Sequence, residues 1–364
     1  MSHTIKNDIK LRQVALVFLA LMPVTKVLML PSIVADFVGE QIWLPITLNL
    51  LFDALVVFLI LKLGERYPNL TFYEIAEKNL GKVASKILFF FIGAFFFLKS
   101  LVPILEQKHF IDNTLYEVFP NFISFFPLMF LSAYACLKGL KVLGRCVDIC
   151  VFFTVIGLLV IIYFSVSTCD ITNLFPIFQK PHYNTVKAMF SSVIWFTEGA
   201  YMLLFLGKFN NEKNGTIKIM TCFLIGSVFV VAIAVIFYGI FGPIANTQVF
   251  AVSDMTIYTT KIINIGRFDY LAIFMLLFSK IFAVCLPAYT STKFFEKCFS
   301  LDKALIPALI VNGLLLVAIF VFKDKFLAVL DFSNKYLNWY FVLMGYLMPI
   351  VFYLVLRRRK SEKV

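Results

Sequence analysis

Apolar residues recur in ten long stretches separated by short polar segments, at about 11–37, 41–62, 84–106, 119–137, 145–167, 186–207, 217–241, 268–292, 304–322 and 336–356. A bilayer's hydrocarbon core is about 30 Å thick, and about 20 apolar helical residues cross it. The pattern therefore predicts an all-α membrane protein with ten transmembrane helices. Two stretches are interrupted near their middles. The first carries Pro23-Val24-Thr25-Lys26, and the sixth carries Phe196-Thr197-Glu198-Gly199. A proline or glycine beside a charge at that depth frees backbone N–H and C=O groups. Lipid cannot satisfy them, so such a break survives only inside protein or beside a watery cavity. Breaks at matching positions of two halves point to a carrier's binding site. The two lie five spans apart. No internal sequence repeat is visible, but an odd number of spans per half inverts one half against the other. The expectation is a 5+5 inverted repeat with helices 1 and 6 broken, in a single integral membrane domain over 1–364. The first repeat covers about 11–167 and the second about 186–356.

The connecting segments add detail. Thr71-Phe72-Tyr73-Glu74 has the spacing of a capping box, with Leu70 and Ile75 as its hydrophobic staple. It predicts a short surface helix from Phe72 to Leu80 that ends at Gly81. Ser253-Asp254 is placed to cap a second surface helix running through Ile263. The segment from Glu106 to Glu117 fits either a loop or an extension of the third span past Pro103.

Composition agrees with a membrane protein: 61% of residues are hydrophobic and 15% charged. The net charge of +12 reports topology, because roughly two thirds of the 33 Lys and Arg fall on one side of the spans. By the positive-inside rule that side is the cytoplasm, and both termini lie there. Nucleic-acid binding is not implied, and the basic tail reads as an anchor at lipid headgroups. Lys6, Lys10 and Arg12 before the first span resemble a signal-peptide start. The long apolar run with Lys26 at its centre predicts an uncleaved helix instead. The seven cysteines, at 136, 146, 150, 169, 222, 285 and 298, fit no zinc spacing and read as structural thiols. None of the three histidines, His3, His109 and His182, lies mid-span. With no paired carboxylates either, the spans lack the groups of a membrane enzyme. No metal or other cofactor is expected. The 44 phenylalanines, including Phe89-Phe90-Phe91 and Phe95-Phe96-Phe97, read as lipid-facing bulk.

A charge at the bilayer centre costs at least about 2.5–3.5 kcal/mol, so each one asks for a partner or a role. Lys26 reads as a cation facing a cavity or as the partner of Asp53 or Glu198. The half-helix start beside it adds partial positive charge and suits a carboxylate. Glu198 reads as a ligand for an ammonium, as a proton-carrying acid, or as a cap for freed N–H groups. Asp53 reads as a structural partner for a lysine or as a coupling group. Lys280, after Ser279, reads as a fixed charge replacing a sodium ion, or as a partner of Asp53 or Glu198. Lys99 is expected to snorkel outward. Arg145 and Asp148 are expected to pair at the interface.

Several short motifs then occur in order: Leu30-Pro31-Ser32-Ile33; Arg66-Tyr67-Pro68 followed by Thr71, Glu74, Glu77 and Leu80-Gly81-Lys82; Asn173-Leu174-Phe175-Pro176; and Gly242-Pro243 with Arg267-Phe268-Asp269. With ten spans, they make essentially the whole chain resemble the spore-germination permeases. These are the B subunits of nutrient germinant receptors, within the amino acid–polyamine–organocation superfamily. The first break departs from that family's usual glycine- and small-residue-rich pattern, which bears on ligand class. The resemblance implies that spans 1, 3, 6 and 8 line a central pocket. It carries ligand contact to Thr25, Lys26, Thr197, Glu198 and Gly199, with Pro23, Val24 and Phe196 beside them, and then to Ser279 and Lys280. Asp53 and Lys99 remain coupling or structural charges. It also implies a non-enzymatic nutrient sensor of the spore inner membrane. Such a sensor binds a small amino-acid-like germinant and works with an A subunit and a lipoprotein C subunit. The other function open to such a chain is proton-coupled amino-acid transport through Glu198.

Overall fold

A computed structural model describes residues 9–114, 125–176, 181–210, 214–263, 269–301, 304–322 and 325–358. His3, Lys6, Glu117, Arg267, Phe268, the start of the fourth apolar stretch and the basic tail from Arg359 lie outside the described residues. Among those described, the ordered elements are helices. The first apolar stretch comes in two pieces, α1 (Leu11–Val24) and α2 (Leu30–Val38). Next come α3 (Trp43–Arg66), the short α4 (Phe72–Leu80), α5 (Lys82–Thr114), α6 (Phe126–Lys138) and α7 (Leu140–Val166). The sixth stretch is α8 (His182–Ser192), an irregular segment and the one-turn α9 (Met202–Phe205). The rest comprises α10 (Gly215–Phe241), α11 (Ala251–Ile263), α12 (Asp269–Cys298) and α13 (Leu305–Phe322). Last come α14 (Phe326–Phe332), α15 (Asn338–Val342) and α16 (Met348–Arg358), joined by two π-helical turns.

Eight of these stretches are long and apolar enough to cross a membrane, and α1 and α6 are shorter apolar helices. The short α1 reflects the break. At 1.5 Å per residue its 14 residues fall short of the hydrocarbon thickness, and α2 continues after the interruption. The segment after Pro103 resolves as helix, since α5 runs on to Thr114. A Lys108–Asp112 ion pair at i,i+4 supports that extension. α12 likewise passes the expected end near residue 292, where Lys293 and Glu296 pair at 2.7 Å.

The faces of the helices show what surrounds them. In α13, Pro307, Ala308, Val311, Leu315 and Ile319 are buried at helical spacing, while Leu309, Ile310, Leu314 and Val317 are more than half exposed. An apolar face of that kind suits lipid and not water. The phenylalanine runs divide the same way, which corrects the reading of them as lipid-facing bulk. Phe89, Phe95 and Phe96 are buried, and Phe90 and Phe91 face outward. Phe72 of α4 is buried too, with ring centroids 6.3 Å from Phe89, 6.0 Å from Phe294 and 5.1 Å from Phe352. The short helix therefore docks into the bundle through its apolar face. Its capping box is present as read, with the Thr71 N–H donating to Glu74 at 2.7 Å and the Glu74 N–H to the Thr71 hydroxyl at 3.4 Å. The expected cap at Ser253-Asp254 shifts. α11 begins at Ala251, and Asp254 accepts the N–H of Phe250 at 3.0 Å.

α5 and α12 form the largest helix–helix interface, and α1 lies between α10 and α7. This arrangement holds the two interrupted stretches in the middle of the bundle, against α3 and α5.

Candidate functional site at the meeting of two broken helices

The first break follows from proline chemistry. Pro23 sits in the last turn of α1 without an N–H to donate. Its carbonyl instead accepts the N–H groups of Lys26 (2.9 Å) and Val27 (3.0 Å), which turns the chain out of the helix. Helix resumes at Leu30, with Pro31 in the first turn where its missing N–H is tolerated. The second break is more irregular. A 3₁₀ turn over Val193–Trp195 gives way to extended Phe196 and then to Thr197 at φ 71°. A second 3₁₀ turn spans Glu198–Tyr201 and leads into α9. Left-handed backbone at a β-branched residue costs on the order of 1–3 kcal/mol and has to be held by its surroundings.

Asp53 holds it. From the middle of α3, one carboxylate oxygen accepts the Thr197 N–H at 3.0 Å and the other accepts the Gly199 N–H at 3.1 Å. Asp53 is thus the cap for the freed N–H groups, the role that sequence reasoning allowed Glu198 and not Asp53. Gly199 is needed for space. A Cβ there would lie 2.8 Å from the Asp53 carbonyl oxygen and 3.0 Å from Val56.

Glu198 is freed for the other break. Its carboxylate lies 2.7 Å from the Lys26 ammonium, with both side chains fully buried. The Thr25 hydroxyl donates to its second oxygen at 3.1 Å, and Lys99 reaches that same oxygen at 3.4 Å. Lys99 also donates to the Phe196 carbonyl inside the break. It is 6% exposed, so the expected outward snorkelling is corrected: the carbonyls of Ile194 and Phe196 in the break and the Glu198 carboxylate hold it inward more strongly than the interface draws it out. The Lys26 ammonium also sits 5.2 Å from the centre of the Phe196 ring. Two ammonium groups and two carboxylates thus close a formally neutral cluster across both breaks. Such a cluster survives burial because each member has partners.

Lys280 does not join it. It pairs with Glu106 of α5 at 2.5 Å, which corrects the expectation of Asp53 or Glu198 as partner. Trp195 Nε1 donates to the other Glu106 oxygen at 3.4 Å. Ser279 points to α7, accepting from the Thr154 hydroxyl at 2.8 Å and donating to the Cys150 carbonyl at 3.1 Å. The expected Arg145–Asp148 pair is also replaced. Asp148 binds Arg12 at 2.9 Å and Gln13 at 2.9 Å, because it faces α1 and not the preceding turn of α7.

A cavity of about 20 Å³ lies at this centre, lined by Thr25, Lys99, Glu106, Trp195, Tyr201 and Ala283. That is room for about one water, so the site is closed on itself. Glu106, Trp195 and Tyr201 were missed from the sequence. The signal for Glu106 was present: seven residues after Lys99, it shares that lysine's face of the helix. Among the described residues no group of three or more His, Cys, Asp or Glu side chains is arranged for a metal ion.

All-helical architecture, lipid-facing apolar surfaces and two breaks joined by opposite charges define a helical membrane protein built around two interrupted helices. Its fold is similar to that of a manganese transporter from Eremococcus coleocola, solved in two mutant forms. Each aligns with 97% of this chain and 78% of its own, at TM-score 0.53 and 12% identity. Residues 9–327 match the family described as "Spore germination protein", and the chain belongs to that family. A relative in it, spore germination protein YndE of Bacillus subtilis (strain 168), is 22% identical over 209 residues. That alignment spans 57% of this chain and 58% of YndE, less than two thirds of the relative's length.

Proposed function

We propose that this chain is the permease-like B subunit of a nutrient germinant receptor in the spore inner membrane. It crosses the membrane ten times as one domain, with five-span halves at about 11–167 and 186–356 inverted against each other and both termini in the cytoplasm. A small amino-acid-like germinant binds where the breaks meet, against Thr25, Lys26, Thr197, Glu198 and Gly199. Binding favours one arrangement of the broken helices over another, and that differential affinity is the signal passed to an A subunit and a lipoprotein C subunit.

One observation carries this reading: Lys26 and Glu198, one from each break, meet at 2.7 Å in full burial. A zwitterion offers a carboxylate to Lys26 or Lys99 and an ammonium to Glu198, so it exchanges for contacts the protein makes with itself. The two lysines disfavour a divalent cation at the same place, so the manganese named for the fold relative is not carried over. The test is deletion of the gene followed by germination assays across a nutrient panel. Loss of the response to a particular nutrient is the expected result. Normal germination with every nutrient contradicts the assignment.

A second reading, proton-coupled amino-acid transport, is favoured by the Glu198 carboxylate lying within reach of two ammonium groups at the broken centre. Vesicles containing this chain alone separate the two. Accumulation of labelled amino acid driven by a proton gradient supports the transporter, and absence of flux with retained binding supports the sensor.

A further inference from the structure

The Glu106–Lys280 pair bridges the linings of two small cavities. Glu106 lines the central one, and Lys280 lines a second of about 20 Å³ with Val24, Phe110, Val252 and Ser253, beneath α11. The two side chains meet at 2.5 Å with exposures of 2% and 3%, so a buried ion pair connects a lining residue of one cavity to a lining residue of the other. Both helices that carry it contain a proline close by. In α5, Pro103 cannot donate to the Lys99 carbonyl; in α12, Pro287 cannot donate to the Ala283 carbonyl. Glu106 follows its proline and Lys280 precedes its own, and the helices run in opposite directions. Both charges therefore lie on the α11 side of these weakened points. Hydrogen-bond ladders interrupted at one level allow the segments beyond to tilt.

From this we propose that Glu106 and Lys280 form a latch that closes the central cavity toward the α11 side. Separation of the pair, with tilting of the α5 segment after Pro103 and the α12 segment before Pro287, joins the two cavities into one passage to the breaks. Trp195 is the third member, since its indole is held by the Glu106 oxygen that Lys280 leaves free. Glu106 is thus a positioning residue that acts through Lys280 and Trp195. The inference rests on the centre being a ligand site, but its test reads accessibility and not ligand response, so it stands or falls separately.

Val102 lines the central cavity and is buried. In Val102→Cys, a charged, membrane-impermeant methanethiosulfonate applied from the α11 side should label residue 102 slowly, as read by peptide mass spectrometry. With Glu106→Gln or Lys280→Met added, labelling is expected to rise at least about tenfold. The charge-exchanged pair E106K/K280E is expected to return it to the slow rate, which separates a latch from general loosening. Unchanged slow labelling in both single variants overturns the proposal. So does fast labelling in the charge-exchanged protein, and that variant decides alone if a single variant fails to accumulate.

Discussion

Asp53 accepts two backbone N–H groups from another helix, and both belong to the strained turn at Thr197 and Gly199. Removing a buried charged acceptor leaves those donors orphaned and the lysine cluster unbalanced. Asp53→Ala is therefore expected to cost about 3–5 kcal/mol, as for a broken buried pair. Asp53→Asn, which keeps one acceptor oxygen, is expected to cost less. Thermal unfolding of the detergent-purified protein checks the order. The glycines give a second contrast. Gly199→Ala places a methyl 2.8 Å from the Asp53 carbonyl, and Gly345→Ala places one 2.4 Å from the Thr197 side chain. Each is expected to lose about 1–3 kcal/mol through overpacking. Gly313→Ala in α13 meets nothing within 4 Å and is expected to be neutral or to gain up to about 1 kcal/mol of helix propensity. Equal melting temperatures for all three variants would contradict the close approach of the sixth stretch to α3 and to the π-helical turn at Gly345.

Among the elements, the cap on α4 is the most separable. Thr71→Ala removes one half of the capping box and is expected to cost about 0.5–2 kcal/mol of local stability. Faster tryptic cleavage at Lys78 and Lys82 than in the parent is the measurable consequence, and unchanged cleavage would argue that docking of Phe72 alone holds the helix. The capping box was legible because it is a local motif, as was the position of each break, where proline or glycine stands beside a charge in an apolar run. Helix ends were less legible. α5 and α12 continue past their apolar segments on ion pairs and packing that hydropathy does not register. Partner choice was least legible of all. Lys280 took Glu106, Asp53 took backbone N–H groups, and Asp148 took Arg12. Each choice depends on the rotation and depth of a neighbouring helix, which a single chain's pattern does not fix.

Among the described residues, the charges buried at the centre of the bundle organise into two separate neutral groups, and the buried Lys108 pairs with the part-exposed Asp112 further along α5. Lys26, Lys99, Asp53 and Glu198 join the breaks, and Lys280 with Glu106 stands apart on the α11 side. The breaks are held to each other, to α3 and to α5, so a change at one is felt at the other. Loss of one charge leaves the rest of its group uncompensated, while loss of both partners does not. Lys26→Met and Glu198→Gln are each expected to destabilise the protein by a few kcal/mol, with the double variant less affected than the sum. A double-mutant cycle of unfolding free energies reads that coupling, and strict additivity would contradict the ion pair. The central claim, that these two residues form the ligand site of a germination receptor, is tested most directly in spores. The measurement is the nutrient dose–response of spores carrying Lys26→Met or Glu198→Gln, with the subunit quantified in the spore membrane. The account predicts that both variants accumulate and lose the same nutrient response that gene deletion abolishes. A parental dose–response from a variant present at normal level would contradict it.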